Sequence, residues 1–356
     1  MTRLRTRTNT RTKLDIRTVA ERADVSIATV SRTINSIPTV SPLLAERVWK
    51  AIRELDYYPN SQARSLVSGR SRIFGLIVPE ITNPFFPELV QGFEDIAVEN
   101  GYEMLVSSTN NDPGRMSVCI RRMLERRVEG VAVMTFGVEE PLLQQLSERK
   151  IPLVLTEFLL DTPHVSTLLL DYKMGFRLGV EHLVKLGHRH IAFISGPLAL
   201  HSARTRREAF LASLREFQLP IRESWMVEGD HTLEAGVRGF QALADQGEIP
   251  TSILCSNDMT AIGVLKAAYH AHVRVPDDLS VIGLDDIRFS EYTLPPLTTI
   301  RLSGVEIAQA AFHALQAQAE SEKGKDGVRK YPISTSLVVR ESTAPARTIN
   351  TFPFPR

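Results

Sequence analysis

Apolar residues recur every three or four positions between residues 15 and 55, which is the spacing of amphipathic helices. Asp15 and Ser26 each precede one such segment, and their side-chain oxygens can accept hydrogen bonds from the free N–H groups of a helix start. Asp24 falls in the turn between the first two segments, where we expect a left-handed backbone. The pattern predicts three short helices, over 16–23, 27–35 and 41–55.

From residue 72 the pattern changes to short apolar runs that alternate with amphipathic segments. Such runs are typical of buried parallel strands, and the segments between them are typical of helices that cover a sheet. Two sets of alternating elements predict two doubly wound lobes, with a ligand cleft between them. The predicted strands are 73–79, 102–108, 128–134, 151–157, 190–195, 224–229, 251–256, 279–284 and 334–343. The predicted helices are 86–100, 114–127, 139–149, 173–186, 203–217, 232–246 and 259–272.

These patterns divide the chain into an arm, a helical head, a linker, a large α/β body and a tail. The arm consists mainly of alternating Arg and Thr, so we expect it to be disordered and to add nonspecific phosphate contacts. The predicted boundaries are 1–13 for the arm, 14–58 for the head, 59–71 for the linker, 72–345 for the body and 346–356 for the tail. Within the body, lobe 1 is expected over 72–160 and 290–320, and lobe 2 over 161–289 and 325–345, with crossovers near 160–166, 286–296 and 318–334.

The net charge of +1 conceals an uneven distribution of charge along the chain. Residues 1–72 carry 14 Lys and Arg against 6 Asp and Glu, a net charge of +8. The rest of the chain carries 28 basic and 35 acidic residues, a net charge of −7. A basic N-terminal module followed by an acidic body indicates a polyanionic partner for that module alone.

Composition and motifs exclude several classes of protein. No apolar run reaches the length of about 18 residues that spans a membrane, and the basic N-terminus lacks the apolar core of a secretory signal, so we expect a cytoplasmic protein. Cys119 and Cys255 match no metal-ligand spacing and are expected to be reduced, partly buried thiols. The chain has no G-x-G-x-x-G after its first strand, no P-loop and no G-x-S-x-G, and we predict no catalytic residue, metal or cofactor.

The exposed face of the predicted helix 27–35 suits a groove of DNA. Two short helices joined by a three-residue turn have the spacing of a helix-turn-helix, whose second helix enters the major groove. Hydroxyl and amide groups on this face can reach phosphates, and Arg32 can pair with guanine through two hydrogen bonds. The candidate DNA contacts on this helix are Ile27, Ala28, Thr29, Ser31, Arg32 and Asn35.

Two strings in this region resemble a known family. VAERADVSIATVSRTIN contains V-S-x-x-T-V-S-R-x-x-N, and VSPLLAERVWKAIRELDYYPNSQARSLVSG contains Y-x-P-N-x-x-A-x-x-L. They resemble the DNA-binding head and hinge of the lactose/galactose-repressor family of bacterial regulators, and the resemblance extends to about Thr343. Asp24 departs from it, because a glycine is common at that position. The resemblance implies an all-α helix-turn-helix head followed by a two-lobed, doubly wound α/β effector domain like that of periplasmic binding proteins.

The resemblance also assigns a role to the linker. It implies that residues 60–68 fold into a helix only when two subunits lie side by side on an operator, with Leu66 of each subunit inserted into the minor groove. Such an apolar wedge unstacks a base step and kinks the duplex. Without the motif, the same residues would be interpreted as a polar linker. The further DNA contacts implied are Tyr57, Asn60, Ala63 and Leu66.

The loops that follow the predicted strands contain the candidate ligand residues. The resemblance places Phe85 or Phe86 against the ligand, its cleft arginine at Arg206, its polar contact at Asn257 and its hydroxyl-binding aspartate at Asp285. A guanidinium, an amide and a carboxylate suit a polyol, and an aromatic ring stacks on the apolar face of a sugar. The candidate ligand residues are Phe85, Phe86, Glu157, Arg206, His231, Asn257 and Asp285.

Several of these assignments have simpler alternatives. Phe86 fits a lobe core equally well, Glu157 could pair with a nearby arginine, and His231 could lie at the surface. Arg204, on the same loop as the cleft arginine, could form the same forked hydrogen bonds to a ligand. A large side chain is frequent at the position of Gly304, so the glycine is expected to leave extra room in the cleft.

We therefore expect a sequence-specific DNA-binding transcriptional regulator, a repressor whose operator affinity is controlled by a ligand between its lobes. The expected partners are palindromic double-stranded operator DNA, a small-molecule effector that is a sugar or sugar derivative, and further copies of the chain in a homodimer or tetramer. No membrane partner is expected, and the DNA-bound protein would lie on the nucleoid. The alternative is a sugar-binding protein without a regulatory DNA role, which explains the two lobes but not residues 15–69.

Overall fold

The computed structural model describes residues 15–35, 37–58, 70–135, 145–157, 164–246, 250–320 and 329–347. Met1–Ser71 and Arg72–Arg356 form two compact units. The predicted arm and the candidate contacts Asn60, Ala63 and Leu66 lie outside the described residues, as does most of the predicted helix 139–149. These parts of the sequence interpretation stay predictions.

Three short helices form the head, as the hydrophobic pattern predicts. They are α1 (Ile16–Ala23), α2 (Ile27–Ile34) and α3 (Pro42–Leu55). The Oδ1 of Asp15 accepts hydrogen bonds from the backbone N–H groups of Arg17 and Thr18 at 2.9 and 3.1 Å. The Oγ of Ser26 accepts from the N–H of Thr29 at 3.1 Å. Both predicted caps are confirmed, and each satisfies donors that a helix start would otherwise leave free.

Asp24 and Asn35 end the first two helices. Asp24 adopts the predicted left-handed conformation with φ of 50°, and Arg47 donates from Nη2 to its Oδ2 at 3.1 Å, which ties α3 to the turn. The second helix ends at Ile34 and not at Asn35, because the Asn35 amide turns back onto the carbonyl of Ser31 at 2.8 Å. Buried side chains from all three helices form the head core: Val19, Ala20, Ala23, Val30, Val48, Ala51 and Ile52.

The body contains two six-stranded sheets. The strands are β1 (Ile73–Val78), β2 (Glu103–Ser108), β3 (Gly130–Val133), β4 (Leu153–Thr156), β5 (Val165–Leu170), β6 (Ile191–Ser195), β7 (Met226–Glu228), β8 (Ser252–Cys255), β9 (Ser280–Asp285), β10 (Thr298–Arg301), β11 (Arg329–Ile333) and β12 (Ser336–Val338). The first sheet has the order β11-β5-β4-β3-β1-β2, and all its neighbouring strands are parallel. The second has the order β12-β10-β9-β8-β6-β7 and is parallel except for the antiparallel pair of β10 and β12.

Helices cover both sheets and complete the two lobes. They are α4 (Phe85–Glu99), α5 (Pro113–Glu125), α6 (Tyr172–Lys185), α7 (His201–Glu216), α8 (Leu233–Ala244), α9 (Asp258–His270) and α10 (Gly304–Glu320). Helices α4, α5 and α10 pack on the first lobe, whereas α6 to α9 pack on the second. The predicted doubly wound, two-lobed α/β fold is confirmed, with most element ends shifted by a few residues.

The predicted lobe boundaries are wrong at three strands. β5 belongs to the first sheet although we assigned it to lobe 2, because it pairs with β4. β10 belongs to the second sheet although we assigned it to lobe 1, because it pairs with β9. β11 lies in a predicted crossover but extends the first sheet beside β5. The chain therefore crosses from one lobe to the other after β5, after β10 and after β11. The pairing of strands decides which sheet a strand joins, and the order of the strands along the chain does not reveal it.

Two predicted strands are shorter than expected. The run 224–229 begins with a 3₁₀ turn over Glu223–Trp225, which buries the Trp225 side chain, and only Met226–Glu228 pairs as β7. The run 334–343 contributes only β12. Beyond β12, Ser342 accepts from the N–H of Val281 at 2.9 Å through its carbonyl and donates from its Oγ to the carbonyl of Val281 at 2.6 Å, so the segment stays bonded to β9 without a regular strand.

Candidate DNA-binding surface and effector cavity

The outer face of α2 presents small side chains and one arginine. Ile27 is 44% exposed, and Ala28, Arg32 and Asn35 are exposed as well, whereas Thr29 and Ser31 are half-buried. The second helix of a helix-turn-helix needs such a face, because only side chains that leave the protein surface can reach base edges.

The polar groups of this face differ in how free they are. The Oγ1 of Thr29 lies 2.9 Å from the Oγ of Ser26, and the amide of Asn35 donates to the carbonyl of Ser31. The side chain of Arg32 forms no hydrogen bond or ion pair with the described residues, so its guanidinium is available to a partner. The sequence already separated Arg32, as a guanine contact, from the hydroxyl and amide groups, and the structure adds that the hydroxyl of Thr29 and the amide of Asn35 are bonded within the helix.

Tyr57, the last of the candidate DNA contacts on the described part of the head, is half-buried against the head core. Burial and then the negative charge of Asp15 raise the pKa of its phenol, so the hydroxyl stays protonated. The residue therefore contributes to packing whether or not it also contacts a partner.

A cavity of about 360 Å³ lies between the two lobes of the body. Its first wall is mostly apolar and comes from lobe 1 and α10; its second wall carries the polar groups of lobe 2. Six of the seven candidate ligand residues line it: Phe85, Phe86, Arg206, His231, Asn257 and Asp285. The other lining residues are Pro79, Glu80, Asn83, Leu89, Asn111, Met134, Thr135, Thr156, Leu170, Tyr172, Pro197, Leu200, Ser202, Asp230, Leu302 and Ile307.

Arg206 is held by two bonds to the protein. This buried residue of α7 donates from Nη1 to the carbonyl of Ser256 at 2.8 Å and from Nη2 to the hydroxyl of Tyr172 at 2.9 Å. Its guanidinium carbon also lies 4.8 Å from the centre of the Tyr172 ring, which is cation–π distance. Among the described residues its Nε has no hydrogen-bond partner. The guanidinium is thus fixed in orientation, and its buried Nε–H has no acceptor among the described residues.

Asp285 ends β9 with its carboxylate at the cavity. Its side chain is only 6% exposed, and no described residue donates a hydrogen bond to it. Its φ is 114°, a left-handed value that non-glycine residues rarely adopt. Burial raises the pKa of Asp285 well above its ordinary value, although the charge of Arg206 opposes the rise. A buried carboxyl without a donor is costly, so the site suits a ligand that supplies one.

A second buried carboxyl, Asp258, fixes the loop that follows Asp285. Its Oδ1 accepts from the hydroxyl of Thr299 at 2.5 Å. Its Oδ2 accepts from the N–H of Ile287 at 2.9 Å and from the hydroxyl of Ser290 at 2.7 Å. Burial raises the pKa of Asp258 to about 7 despite these three donors. The carboxyl therefore joins α9, β10 and the loop after β9 from beneath.

His231 and Asn257 line the cavity but bind each other and their neighbours. The Nδ2 of Asn257 donates to the carbonyl of His231 at 2.9 Å, and its Oδ1 accepts from the N–H of Thr260 at 2.9 Å as the cap of α9. The Nδ1 of His231 lies 3.1 Å from the Oγ of Ser256. Burial and then the charge of Arg206 lower the pKa of His231 to about 3, so the ring is neutral. His231 is half-buried and not at the surface.

Phe85 and Phe86 line the cavity, whereas Glu157 does not, although the sequence made all three candidate ligand residues. Phe85 and Phe86, at the start of α4, stand edge to face at 5.3 Å, and both line the cavity while packing against the lobe core. Glu157 does not line the cavity, although its neighbour Thr156 does. Burial raises the pKa of Glu157 to about 7, with the charge of Arg206 opposing the rise, and its buried Oε2 has no hydrogen-bond partner among the described residues.

Two expectations about the cleft are wrong. Arg204 is exposed and donates from Nη1 to the carbonyls of Leu198 and Ala199 at 2.8 and 2.9 Å, so it closes its own loop and is absent from the cavity wall. Gly304 leaves no extra room in the cavity, because a Cβ there would lie 3.3 Å from the backbone nitrogen of Leu89. The glycine instead allows α10 to begin against α4.

Sequence reasoning missed Tyr172, Thr135 and Thr156 in the cavity wall. Tyr172 begins α6 two residues after the last residue of β5, at the carboxyl end of a parallel strand, where ligand residues are expected. The apolar run VSTLLL was the available signal, but it was assigned to a crossover and a different lobe. Thr156 is the last residue of β4 and precedes the predicted Glu157. The sequence therefore located the correct strand end, but Thr156 and not Glu157 lines the cavity there.

A helix-turn-helix head and a two-lobed body with an enclosed cavity define a ligand-responsive DNA-binding regulator. Residues 15–60 match the family described as bacterial regulatory proteins, lacI family, and residues 180–343 match the periplasmic binding protein-like domain. Catabolite control protein A of Priestia megaterium is 32% identical over 315 residues, which cover 88% of this chain and 95% of that protein. The HTH-type transcriptional repressor PurR of Haemophilus influenzae (strain PittEE) is 34% identical over 331 residues, which cover 92% of this chain and 98% of that protein.

Solved structures agree with these relatives. The lac repressor dimer bound to operator and the anti-inducer ONPF superimposes with a TM-score of 0.80 at 30% identity, over 93% of this chain and 99% of that one. The transcriptional regulator CelR in complex with cellobiose gives a TM-score of 0.69 at 27% identity, over 93% of this chain and all of that one (100%). The chain belongs to the lacI family of bacterial regulatory proteins. It is a DNA-binding transcriptional regulator with an effector-binding body and not an enzyme, which excludes the alternative of a sugar-binding protein without a DNA role.

Neither a metal cluster nor a membrane helix is found in the described part of the chain. No group of three His, Cys, Asp or Glu side chains there could hold a metal ion. No helix there is long and apolar enough to cross a membrane. Cys119 and Cys255 are both buried free thiols, so they are more enclosed than the sequence suggested.

Proposed function

We propose that this chain is a repressor that binds a palindromic operator as a homodimer and responds to a small carbohydrate bound between its lobes. The observation that carries the proposal is that the chain has two separate binding features. One is the free side chain of Arg32 on the outer face of α2, and the other is the buried, unpartnered carboxylate of Asp285 in the cavity. The first suits a base edge and the second suits a hydroxyl donor. The protein would act in the cytoplasm, on the nucleoid when bound to its operator.

On the DNA side, Arg32 supplies the specific contact, by two hydrogen bonds to guanine. Ile27 and Ala28 carry no donor or acceptor in their side chains, so they read thymine methyl groups and local shape. Thr29, Ser31 and Asn35 contribute through phosphates and through the helix end that they stabilise. Tyr57, Asn60, Ala63 and Leu66 remain contacts that only the family resemblance assigns. One helix reads one half-site, so a palindrome requires two subunits.

On the ligand side, Phe85 and Phe86 offer aromatic faces to the apolar side of a sugar ring, and Asp285 accepts its hydroxyls. Arg206 offers Nε as a donor, and Asn257 and His231 shape the polar wall. Glu157 acts from behind the wall, through its influence on Arg206. Ligand binding would change the relative population of open and closed lobes, and thereby operator affinity.

Binding of labelled duplexes to the purified protein tests the DNA part of the proposal. A set of palindromic duplexes that includes the promoter region of the chain's own gene is compared with a random duplex between 50 and 200 mM salt. We expect one palindrome to keep its advantage as salt rises, because base contacts depend less on salt than phosphate contacts do. Equal affinity for all duplexes at every salt concentration would refute operator recognition.

A further inference from the structure

Three neighbouring strands of the first sheet each begin after a basic residue with a left-handed backbone. The strands are β4, β3 and β1, which lie side by side in that order. The residues before them are Lys150, Arg127 and Arg72, with φ of 56°, 53° and 53°. Glycine adopts this conformation without steric cost, and other residues adopt it rarely. A long cationic side chain at all three positions is therefore not what the backbone alone favours.

The three turns lie together at one edge of the body. The strands are parallel and are paired from close to their first residues, so the turns before them are side by side. Neighbouring strands are about 4.8 Å apart, and the three turns therefore span roughly 10 Å. The effector cavity lies at the opposite edge of the sheet, where the strands end.

Further cations are exposed in the same turns. Arg122 and Arg126 lie at the end of α5, directly before β3, and Arg149 precedes Lys150. The side chains of these four residues form no hydrogen bond or ion pair with the described residues, whereas Arg127 already has a partner. We use the name basic edge for Arg72, Arg122, Arg126, Arg149 and Lys150.

The basic edge is positive although the body as a whole is negative. Residues 121–129 and 147–150 carry six Arg or Lys against three Glu, whereas residues 73–356 have a net charge of −7. One of these glutamates, Glu129, already accepts a hydrogen bond from the backbone N–H of Arg72 at 2.7 Å. Exposed cations that lack acidic partners suit a polyanion.

The course of the chain indicates which polyanion this surface meets. Arg72 is the first residue of the body, so the segment that leads to the DNA-binding head leaves from the basic edge. A duplex bound by the head is thus tethered to this edge through the chain itself. A second binding surface that is linked to the first meets the same partner at a high effective concentration, so even weak contacts count.

We propose that the basic edge binds phosphates of the duplex that the head holds, as a second DNA contact made by the body. Arginine and lysine side chains on phosphates add affinity and salt dependence, but they do not read the base sequence. The contact requires only that the chain binds DNA, and it depends on no particular operator or effector.

Binding of the full-length protein to a labelled random duplex of about 40 base pairs tests the contact, because phosphate contacts need no operator. Arg126→Gln/Lys150→Gln removes two cations of the basic edge. Arg115→Gln/Lys173→Gln is the control, because it removes the same charges from exposed positions at the other end of α5 and in lobe 2. Fluorescence anisotropy between 50 and 200 mM KCl gives the affinity and its dependence on salt.

We expect the edge variant to bind at least fivefold more weakly at 50 mM KCl. The slope of log K against log salt should become shallower by about 2–4, because each lost phosphate contact removes about 0.9 and a dimer loses up to four. The control should keep the affinity of the parent protein within twofold. Equal losses in the two variants would show that only the total charge matters. An edge variant that binds DNA as the parent protein does would leave the basic edge to another partner, such as an acidic protein. Either result overturns the proposal.

A structural role for these cations is tested separately, because a cation near a helix C-terminus also stabilises that helix. Lys150→Gly removes the charge and places at this position the residue that a left-handed backbone favours. We expect Tm to stay the same or to rise while the random duplex is bound more weakly. Unchanged DNA binding by Lys150→Gly would assign the lysine to the fold alone. Thermal unfolding without DNA shows whether each of the three variants is folded.

Discussion

The outer face of α2 and the effector cavity use polar side chains in opposite ways. On α2, the decisive Arg32 is exposed and has no partner in the described chain. In the cavity, Arg206, Asn257 and His231 each form hydrogen bonds within the protein, while the Nε of Arg206 and the carboxylate of Asp285 have no partner among the described residues. A site for a polyanion can leave its cation in water until the partner arrives, whereas an enclosed site must be satisfied before the ligand enters. Variants of the head should therefore affect binding alone, while variants of the cavity should also affect stability.

The largest effect is expected beneath the cavity. Asp258→Ala leaves the hydroxyls of Thr299 and Ser290 and the N–H of Ile287 without their acceptor. We expect the free energy of unfolding to fall by about 3–5 kcal/mol in urea titrations. The control is Asp277→Ala, whose carboxyl forms an exposed ion pair with Arg274 and should cost less than about 0.5 kcal/mol. A loss for Asp258→Ala no greater than the control's would show that the loop is held by other contacts.

The next effect depends on pH and concerns Glu157. Its pKa of about 7 in the folded protein exceeds the ordinary value of 4.5, so its contribution to stability is complete below pH 4.5 and is lost as the pH rises through 7. Glu157→Gln removes that loss, so the variant should gain on the parent protein between pH 5 and pH 8, by up to about 3 kcal/mol. Urea unfolding at both pH values measures this difference. The control is Glu99→Gln, at an exposed position of α4, whose free energy of unfolding should change with pH as that of the parent protein does. If the free energy of unfolding of Glu157→Gln also changes with pH as in the parent protein, the raised pKa of Glu157 is contradicted.

On the head, Arg32→Ala should act on DNA binding and leave folding unchanged. We expect operator affinity to fall by about 1–3 kcal/mol. The loss should occur only for operators that contain the base pair contacted by Arg32 in each half-site, so that the variant no longer discriminates at that position. Binding to a panel of single-base operator variants measures this, and urea unfolding of the isolated protein should be unaltered. Arg53→Ala removes the same charge from an exposed position of α3 and should weaken all duplexes alike. If Arg32→Ala gives the same uniform loss, Arg32 contacts phosphate and not a base.

The smallest effect is expected for the contact that orients Arg206. Tyr172→Phe removes the 2.9 Å hydrogen bond to Nη2 and keeps the ring beneath the guanidinium. The free energy of unfolding should fall by about 1 kcal/mol. Urea unfolding measures this loss. An unchanged free energy of unfolding would show that the Tyr172 hydroxyl contributes nothing to holding Arg206.

The sequence predicted most of the head and six of the residues that line the cavity. Helix ends, caps and the left-handed Asp24 follow from local rules that involve residues four or fewer positions apart, so they were accessible. The cavity assignments of Phe85, Phe86, Arg206, His231, Asn257 and Asp285 came from strand ends and from the family resemblance. Whether each side chain is free or bonded was not accessible, because the partners come from distant segments.

The division between the two sources of information has a physical cause. Hydrophobic periodicity, caps and the charge difference between residues 1–72 and the rest are properties of neighbouring residues, and the sequence determined them alone. The placement of β5, β10 and β11 depends on which strands pair, and only the tertiary structure decided it. The same holds for Tyr172, which reaches the cavity because β5 joins the first sheet, and for Arg206, whose two terminal nitrogens donate to Ser256 and Tyr172. Contacts between distant segments are set by the packing of the whole body, and no local pattern encodes them.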